Sequence, residues 1–364
     1  MEPFVYQGQP SRVVFGAGNL AQLDAEMARL GAQRVLVLCT PPQRALAERA
    51  AGLLGRRAAG IFDQAAMHVP IGCANAAREA ARALGADAFV AIGGGSTIGL
   101  GKAIALTSSL PILAIPTTYA GSEMTPIYGI TENGVKTTGR DARVLPRTVI
   151  YDPELLASLP ARMACTSGVN AIAHAAEALY ARDANPVTSL MAEASIRALG
   201  RSLPRLALDP ANGGAIADAL YGAWLAGICL GSVGMALHHK LCHTLGGAFN
   251  LPHAEMHTIL LPHTLAYNRR GAPGAMRIIA DALGAADAAQ GMHDLIVTLD
   301  VPLALSDIGM PSDGLEHAAS LAVLNPYDNP CPIDHDAVLQ LLKDAHTGCR
   351  PGMPDNRAGS AMPR

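Results

Sequence analysis

Asn170 and His174 stand four residues apart in an alanine-rich stretch, and His239 and His243 stand four apart in LHHKLCHTLGG. On a helix that spacing puts each pair on one face, while His238 points about a quarter-turn away. His253 and His257 follow at the same spacing in NLPHAEMHTILLPH. This is not the HExxH zinc motif, because the glutamate sits in the wrong place. Imidazoles lining one cleft can bind a metal, donate a proton, or hold carboxylates as cations. A single histidine is more often a core or surface residue than a ligand. Several on adjacent helices, downstream of a nucleotide-binding segment, point to chemistry.

That segment is Ala86 to Leu106, ADAFVAIGGGSTIGLGKAIAL. An apolar run meets Gly93, Gly94 and Gly95, then Ser96 and Thr97, then a helical pattern. Strand, glycine turn and helix present free N–H groups and a helix N-terminus to a phosphate. Ser96 or Thr97 is expected to cap the helix. The segment is not a Walker loop, since Ser96 stands where the first glycine belongs and Ala103 follows Lys102. A second hydroxyl-rich loop, PTTYAGSE, follows the apolar run Pro111–Ile115. Its Thr117, Thr118, Tyr119 and Ser122 lie where open α/β sheets bind ligands, at a strand's C-terminal end. Phe15-Gly16-Ala17-Gly18 is a weaker dinucleotide signal, lacking the third glycine.

Alternation of short β-like runs with Ala/Leu/Arg-rich helical patterns extends from about Arg12 to Asp152. It predicts a doubly wound, mostly parallel sheet. Strands are expected at Arg12–Phe15, Arg34–Cys39, Ala59–Phe62, Ala88–Ile92, Pro111–Ile115 and Thr148–Tyr151. After Asp152-Pro153 the pattern is helical, with joins near Ala184–Pro186, Asp209–Gly214 and Gly271–Gly274. The expected organisation is an α/β nucleotide-binding domain over 1–152, an all-α domain over 153–349, and a loose tail over 350–364.

The 364 residues are 50% hydrophobic and 16% charged, with a formal net charge of −3. No basic block is present, so nucleic acid and anionic membranes are not expected partners. Seven scattered cysteines without CxxC spacing read as reduced thiols in a cytoplasmic protein. MEPFVYQGQP has no basic region followed by an apolar core, and the apolar runs are broken by Gly, His or Pro. Neither a secretory signal nor a membrane span is expected.

FGAGNL, the GGGS turn, PTTYAGSE, DPELLASLP and HTLGG followed by a PH pair, in that order, give the chain its resemblance to the iron-containing (group III) alcohol dehydrogenases. The resemblance covers nearly the whole length. It implies a doubly wound domain followed by an all-helical one, in the dehydroquinate synthase-like manner, with the active site between them. More narrowly, GGGSTIGLGKAIAL, PTTYAGSEMTPIYGIT and VNAIAHAAEALYA resemble a subgroup acting on maleylacetate, an enone bearing two carboxylates. The implied reaction is NAD(P)H-dependent reduction of its conjugated double bond to 3-oxoadipate, late in aromatic-compound degradation, by a homodimer.

Metal-dependent members of the family use an Asp and three His. By position these fall on Asn170, His174, His239 and His253, so the carboxylate has become an amide. A neutral set holds a hard divalent ion poorly against its hydration shell, and no metal is expected. The family's GGGSxxDxxK pattern also changes, with Gly99 at the aspartate position. His243 and His253 are then expected as hydrogen-bond donors or proton sources. Asn170, His174, His239 and Tyr119 are expected to position substrate, with His257 and Lys240 in reserve for a carboxylate. Gly93, Gly94, Gly95, Ser96, Thr117, Thr118 and Ser122 are expected at the cofactor, with Cys39 and Thr40. No acidic residue follows the strand Arg34–Leu38 to repel a 2′-phosphate, which leaves both NADH and NADPH open; NADH is expected, with tolerance of NADPH. The alternatives are a metal-dependent alcohol or glycerol dehydrogenase, and a non-catalytic nucleotide sensor.

Overall fold

Runs of buried aliphatic residues become strands because both of their faces are covered, which suits an all-parallel sheet. The computed structural model describes residues 4–9, 11–132, 135–324 and 327–352. Strands β1 (Arg12–Phe15), β2 (Val35–Leu38), β3 (Ala58–Phe62), β4 (Ala88–Gly93) and β5 (Ile112–Pro116) alternate with helices α1 (Leu23–Arg29), α2 (Arg44–Leu54), α3 (Ile71–Ala83) and α4 (Gly95–Ser108). An antiparallel hairpin of β6 (Ile127–Glu132) and β7 (Val135–Arg140) intervenes before β8 (Thr148–Tyr151). The six-stranded sheet has the order β1-β8-β5-β4-β2-β3, parallel throughout.

Alternate side chains of each strand serve opposite faces. Val35, Val37, Val90 and Ile92 pack with Leu23 and Met27 of α1 and with Ala47, Ala50 and Leu54 of α2. On the other face α4 lies close: a Cβ on Gly101 would meet Ala91, Leu38 and Ile112 at 3.5–3.7 Å. The doubly wound expectation holds. Winding reverses between β2 and β4, so the crevice that binds ligands in such sheets opens past their carboxyl ends.

The change from strands to helices falls between Tyr151 and Ala161, where α5 (Ala161–Tyr180) begins. By contact, however, the chain divides later, into compact units Met1–Met235 and Ala236–Arg364. Helices α5, α6 (Pro186–Leu208) and α7 (Gly213–Ser232) therefore stay with the sheet. Asn185 starts α6 through a capping box with Thr188, with Pro186 in the first turn. Glycines allow close helix approach here. A Cβ on Gly168 of α5 would meet Leu203 at 2.3 Å, and one on Gly222 of α7 would meet Leu199 at 2.7 Å. Among the described residues α7 alone is long and apolar enough to cross a membrane by composition. It packs instead against α5 and α6.

The second unit comprises α8 (Leu237–Phe249), α9 (His253–Asn268), α10 (Pro273–Leu283), α11 (Ala288–Thr298), α12 (Leu315–Val323) and α13 (His335–Thr347). Leu237, Leu241 and Leu245 form the apolar stripe of α8 and pack with Met256, Ile259 and Leu260 of α9 and with Val338 and Leu342 of α13. Helix α8 runs through Gly246-Gly247 and ends at Asn250, at φ 51° and ψ 37°. Asn tolerates that left-handed conformation and leaves Gly246-Gly247 inside the helix. Of the expected tail, residues 353–364 lie outside the described residues. Arg350 bonds Asp294 and Pro351 accepts from Gln290, so its first residues are tied to α11.

Candidate active site

The glycine turn after β4 sits at the reversal of winding. Gly93 has φ 154°, and a Cβ there would strike Thr97 Oγ1 and Gln43 Oε1 at 2.5 and 2.6 Å. Only glycine fits. Gly94, not Ser96 or Thr97, is the N-cap of α4, and no side chain caps the helix. Both hydroxyl residues lie within the first turn, because the backbone has already become helical at Gly95. Thr97 is buried and its Oγ1 has no hydrogen-bond partner among the described residues. Gly95 is exposed and a Cβ on it would meet nothing closer than Ala120 at 3.8 Å. First-turn N–H groups there have no intrahelical acceptor, which makes an anion cradle. The turn fits the pyrophosphate of a nicotinamide dinucleotide.

Loops after β2 and β5 flank this cradle. Thr40 Oγ1 donates to Gln43 Oε1 (3.0 Å), and Gln43 Nε2 donates to Thr117 Oγ1 (2.7 Å). Thr117 N–H bonds Gly93 O at 3.1 Å, and Thr118 lies 3.1 Å from where a Gly94 Cβ would stand. Thr40, Gly93, Gly94, Thr117 and Thr118 are thus brought together. Cys39 is not: its thiol is wholly buried, its N–H bonds Phe62 O, and its carbonyl accepts from Ala65. Burial pushes the thiol up to about 11. The FGAG segment makes no cradle either. Asp152 accepts from the N–H groups of Gly18 and Leu20 at 3.0 and 2.9 Å, filling the loop with a protein carboxylate.

PTTYAGSE ends in a tight turn against α5 and α7. Gly121, at φ 74°, has Gly227 Cα and His174 Nδ1 within 3.4 Å of its hypothetical Cβ. His174 therefore lies against this loop. Asn170, one turn earlier on α5, is buried with its Oδ1 lacking a partner among the described residues. Tyr119 is 1% exposed, and burial raises its hydroxyl pKa above the ordinary tyrosine value.

Beneath the loop lies Lys102, wholly buried on α4. Its Nζ donates to Ser122 O (2.6 Å), Thr125 O (2.8 Å), Thr125 Oγ1 (2.9 Å) and Ile127 O (2.8 Å). Four acceptors for three N–H bonds saturate the ammonium. Burial draws its pKa down to about 7, opposed by Glu123. Glu123 is itself buried, raised in pKa by that burial, and accepts from Tyr151 at 2.7 Å.

In the second unit five imidazoles line α8 and the start of α9. Ring centroids of His257 lie 4.8 Å from His238, 4.9 Å from His239 and 4.5 Å from His253; His239 and His243 are 6.2 Å apart. His238, His239 and His257 are buried, His253 is half-buried and His243 is exposed. Lys240 Nζ lies 5.5 Å from the centre of the Tyr327 ring. His238, Cys242 and His257 bring three potential ligand atoms within 4.8 Å. A hydrogen bond of 2.9 Å between His238 Nε2 and His257 Nδ1 already joins two of them.

Sequence reasoning passed over Gln43, Lys102, Asp152 and His238. Lys102 had a local signal, a lone cation on an otherwise apolar helix face. Asp152 signalled only its local cap on Glu154 N–H, because its other partners, Gly18 and Leu20, lie more than 130 residues away.

Two family models match the chain: iron-containing alcohol dehydrogenase over residues 10–153, and the C-terminal part of that family over 164–346. Maleylacetate reductase of Burkholderia cepacia is 62% identical over 96% of this chain and 100% of its own length. That of Sphingobium indicum is 55% identical over 96% and 99%. The crystal structure of maleylacetate reductase from Agrobacterium tumefaciens superposes with a TM-score of 0.93 at 53% identity, covering 96% of this chain and all of that one. The family's name implies a cation. The positions matched to its ligands carry one amide and three imidazoles, and Asn170 Oδ1 brings no charge. An amide oxygen is a weaker ligand for a hard divalent ion than the carboxylate it replaces.

Proposed function

The chain belongs to the iron-containing alcohol dehydrogenase family, and from that premise we propose that it reduces maleylacetate to 3-oxoadipate with a nicotinamide cofactor and no metal ion. The observation that carries this reading is the 62% identity, across 96% of the chain, to a maleylacetate reductase. The amide at Asn170 supports its metal-free part. Seven thiols, none in a disulfide, suit a reducing cytoplasm.

Maleylacetate is a ketone conjugated to a carbon–carbon double bond. The reduced nicotinamide, when bound, supplies hydride to the alkene carbon β to that ketone. Charge then spreads over an enolate, a weaker base than the localised alkoxide formed from an isolated carbonyl. Hydrogen-bond donors suffice to hold it, where an alkoxide gains more from a Lewis acid. His243 and His253 donate to the enolate oxygen or deliver the proton that completes addition across the double bond. Asn170, His174, His239 and Tyr119 position the substrate, and Lys240 is in reserve for a carboxylate. Gly95 and Ser96 N–H groups hold the cofactor's phosphates, with Thr40, Thr117, Thr118 and Ser122 beside them. Thr40 stands where an acid would select against a 2′-phosphate, so both NADH and NADPH are accepted, with NADH the favoured cofactor.

Steady-state oxidation of NADH and NADPH with freshly generated maleylacetate, set beside glycerol and simple aldehydes, tests the assignment. It predicts turnover of maleylacetate, with 3-oxoadipate as product. Turnover of an aldehyde or glycerol alone would favour a metal-dependent dehydrogenase. No turnover of anything would favour a nucleotide sensor.

A further inference from the structure

The hydrogen bonds around His238 fix more than its own orientation. Thr264 Oγ1 on α9 donates to the carbonyls of Leu261 (3.0 Å) and Leu260 (3.2 Å) in its own helix. Such back-bonding uses the hydroxyl's only hydrogen. The same oxygen lies 3.1 Å from His238 Nδ1. With its hydrogen on a carbonyl the oxygen accepts there, and His238 then carries its proton on Nδ1. Its Nε2 is then a lone pair, 2.9 Å from His257 Nδ1 and 3.8 Å from Cys242 Sγ. Both of those groups can donate to it, which agrees with the assignment. In that arrangement His257 carries its proton on Nδ1.

We propose that Thr264 and His238 form a buried relay that fixes His257 as its Nδ1–H tautomer, with a bare Nε2. All the participants are fully buried, where an unmatched donor or acceptor is costly. The relay makes His238 and Thr264 positioning residues and gives His257 a defined chemical role. In its neutral form His257 accepts a hydrogen bond through Nε2 and cannot donate one. Its ring lies 4.9 Å from His239 and 4.5 Å from His253 between centroids, so it offers those imidazoles an acceptor and does not clamp a carboxylate unless protonated. This role deepens the proposed reductase mechanism and rests on it; the tautomer assignment itself does not.

Nitrogen NMR of protein labelled with ¹⁵N-histidine distinguishes protonated from bare ring nitrogens. Spectra are recorded at about pH 8.5, above the usual imidazole range, and the His257 signals are assigned by their loss in His257→Asn. The expected result is a protonated Nδ1 and bare Nε2 at His257 in the native protein and in Thr264→Ser. Thr264→Val preserves shape but removes the acceptor. It should move the His257 tautomer ratio roughly five- to tenfold toward Nε2–H, the scale of one net hydrogen bond. It should also lower kcat for maleylacetate without changing KM for the nicotinamide cofactor, while Thr264→Ser restores kcat. A native His257 bearing its proton on Nε2, or a ratio unmoved by Thr264→Val, would overturn the relay. Failure of the native enzyme to turn over maleylacetate would overturn the reductase reading and leave the NMR result standing.

Discussion

Among single residues, the proposed reduction rests on imidazoles and one amide. If His243 stabilises the enolate or delivers the proton, His243→Ala should cut kcat by about 100- to 1000-fold, the usual loss on removing one such donor. Cofactor affinity, measured by fluorescence titration, should hardly change, and a folded variant with near-native kcat would demote His243 to a surface histidine. Asn170→Asp is the complementary test. It restores an anionic oxygen, so divalent-metal affinity by titration calorimetry should rise while turnover of the dianionic substrate falls. The histidine spacings were legible in the sequence because a helix turns every 3.6 residues. The importance of His238 was not: it faces away from His239, and only packing against α9 reveals its partners. Asn170 is informative for what it lacks, a charge, which residue type alone discloses.

At the scale of elements, most strands and helices could be read from buried aliphatic runs, but their ends and their one irregular insertion could not. The β6–β7 hairpin was missed because β6 does not alternate in burial: Ile127 to Thr131 are all half-buried. The signal was there in Asn133-Gly134, a dipeptide favoured between hairpin strands, which itself lies outside the described residues. The cap of α4 fell on Gly94 because a third glycine let the helix start before the hydroxyl residues. This displacement changes which glycine tests the cofactor cradle. A Gly94 Cβ would press on Thr118 at 3.1 Å, whereas one on Gly95 makes only ordinary contact with Ala120 at 3.8 Å. Gly95→Val should thus weaken cofactor binding tenfold or more, about 1.4 kcal/mol, with thermal stability nearly unchanged. Unaltered affinity would place the phosphates elsewhere. Lys102→Met would strip the donor from the carbonyls of Ser122, Thr125 and Ile127. Unsatisfied buried acceptors of this kind should cost on the order of 3 kcal/mol in denaturant unfolding. A midpoint shift of a few tenths of a kcal/mol would mean that water replaces the ammonium.

For the whole molecule, one buried group predicts the response to acid. Burial lowers His263 to about 4 from 6.5, with Asp344 opposing and His293 assisting. Its unfolded form binds a proton across that window while the native form does not. The stability it contributes is full above about pH 6.5 and is lost as pH falls toward 4, to a total of about 3 kcal/mol. His263→Gln should flatten this part of the stability curve in urea titrations; an unchanged slope would show that other groups set it. The expected change of composition near residue 152 did appear as a change from strands to helices. The division by contact at Met235/Ala236 was not legible, because α5–α7 look like any other alanine-rich helices until Gly168 and Gly222 are seen to bring them together.

The central claim is reduction of maleylacetate without a metal, and its most direct test combines turnover with elemental analysis. Enzyme treated with a strong chelator and then freed of it should contain well under one metal ion per chain. It should oxidise NADH with maleylacetate at the rate of untreated protein, and added iron or zinc should not raise that rate. A stoichiometric iron or zinc in the active protein, with turnover lost on chelation and regained on adding the metal, would contradict the account.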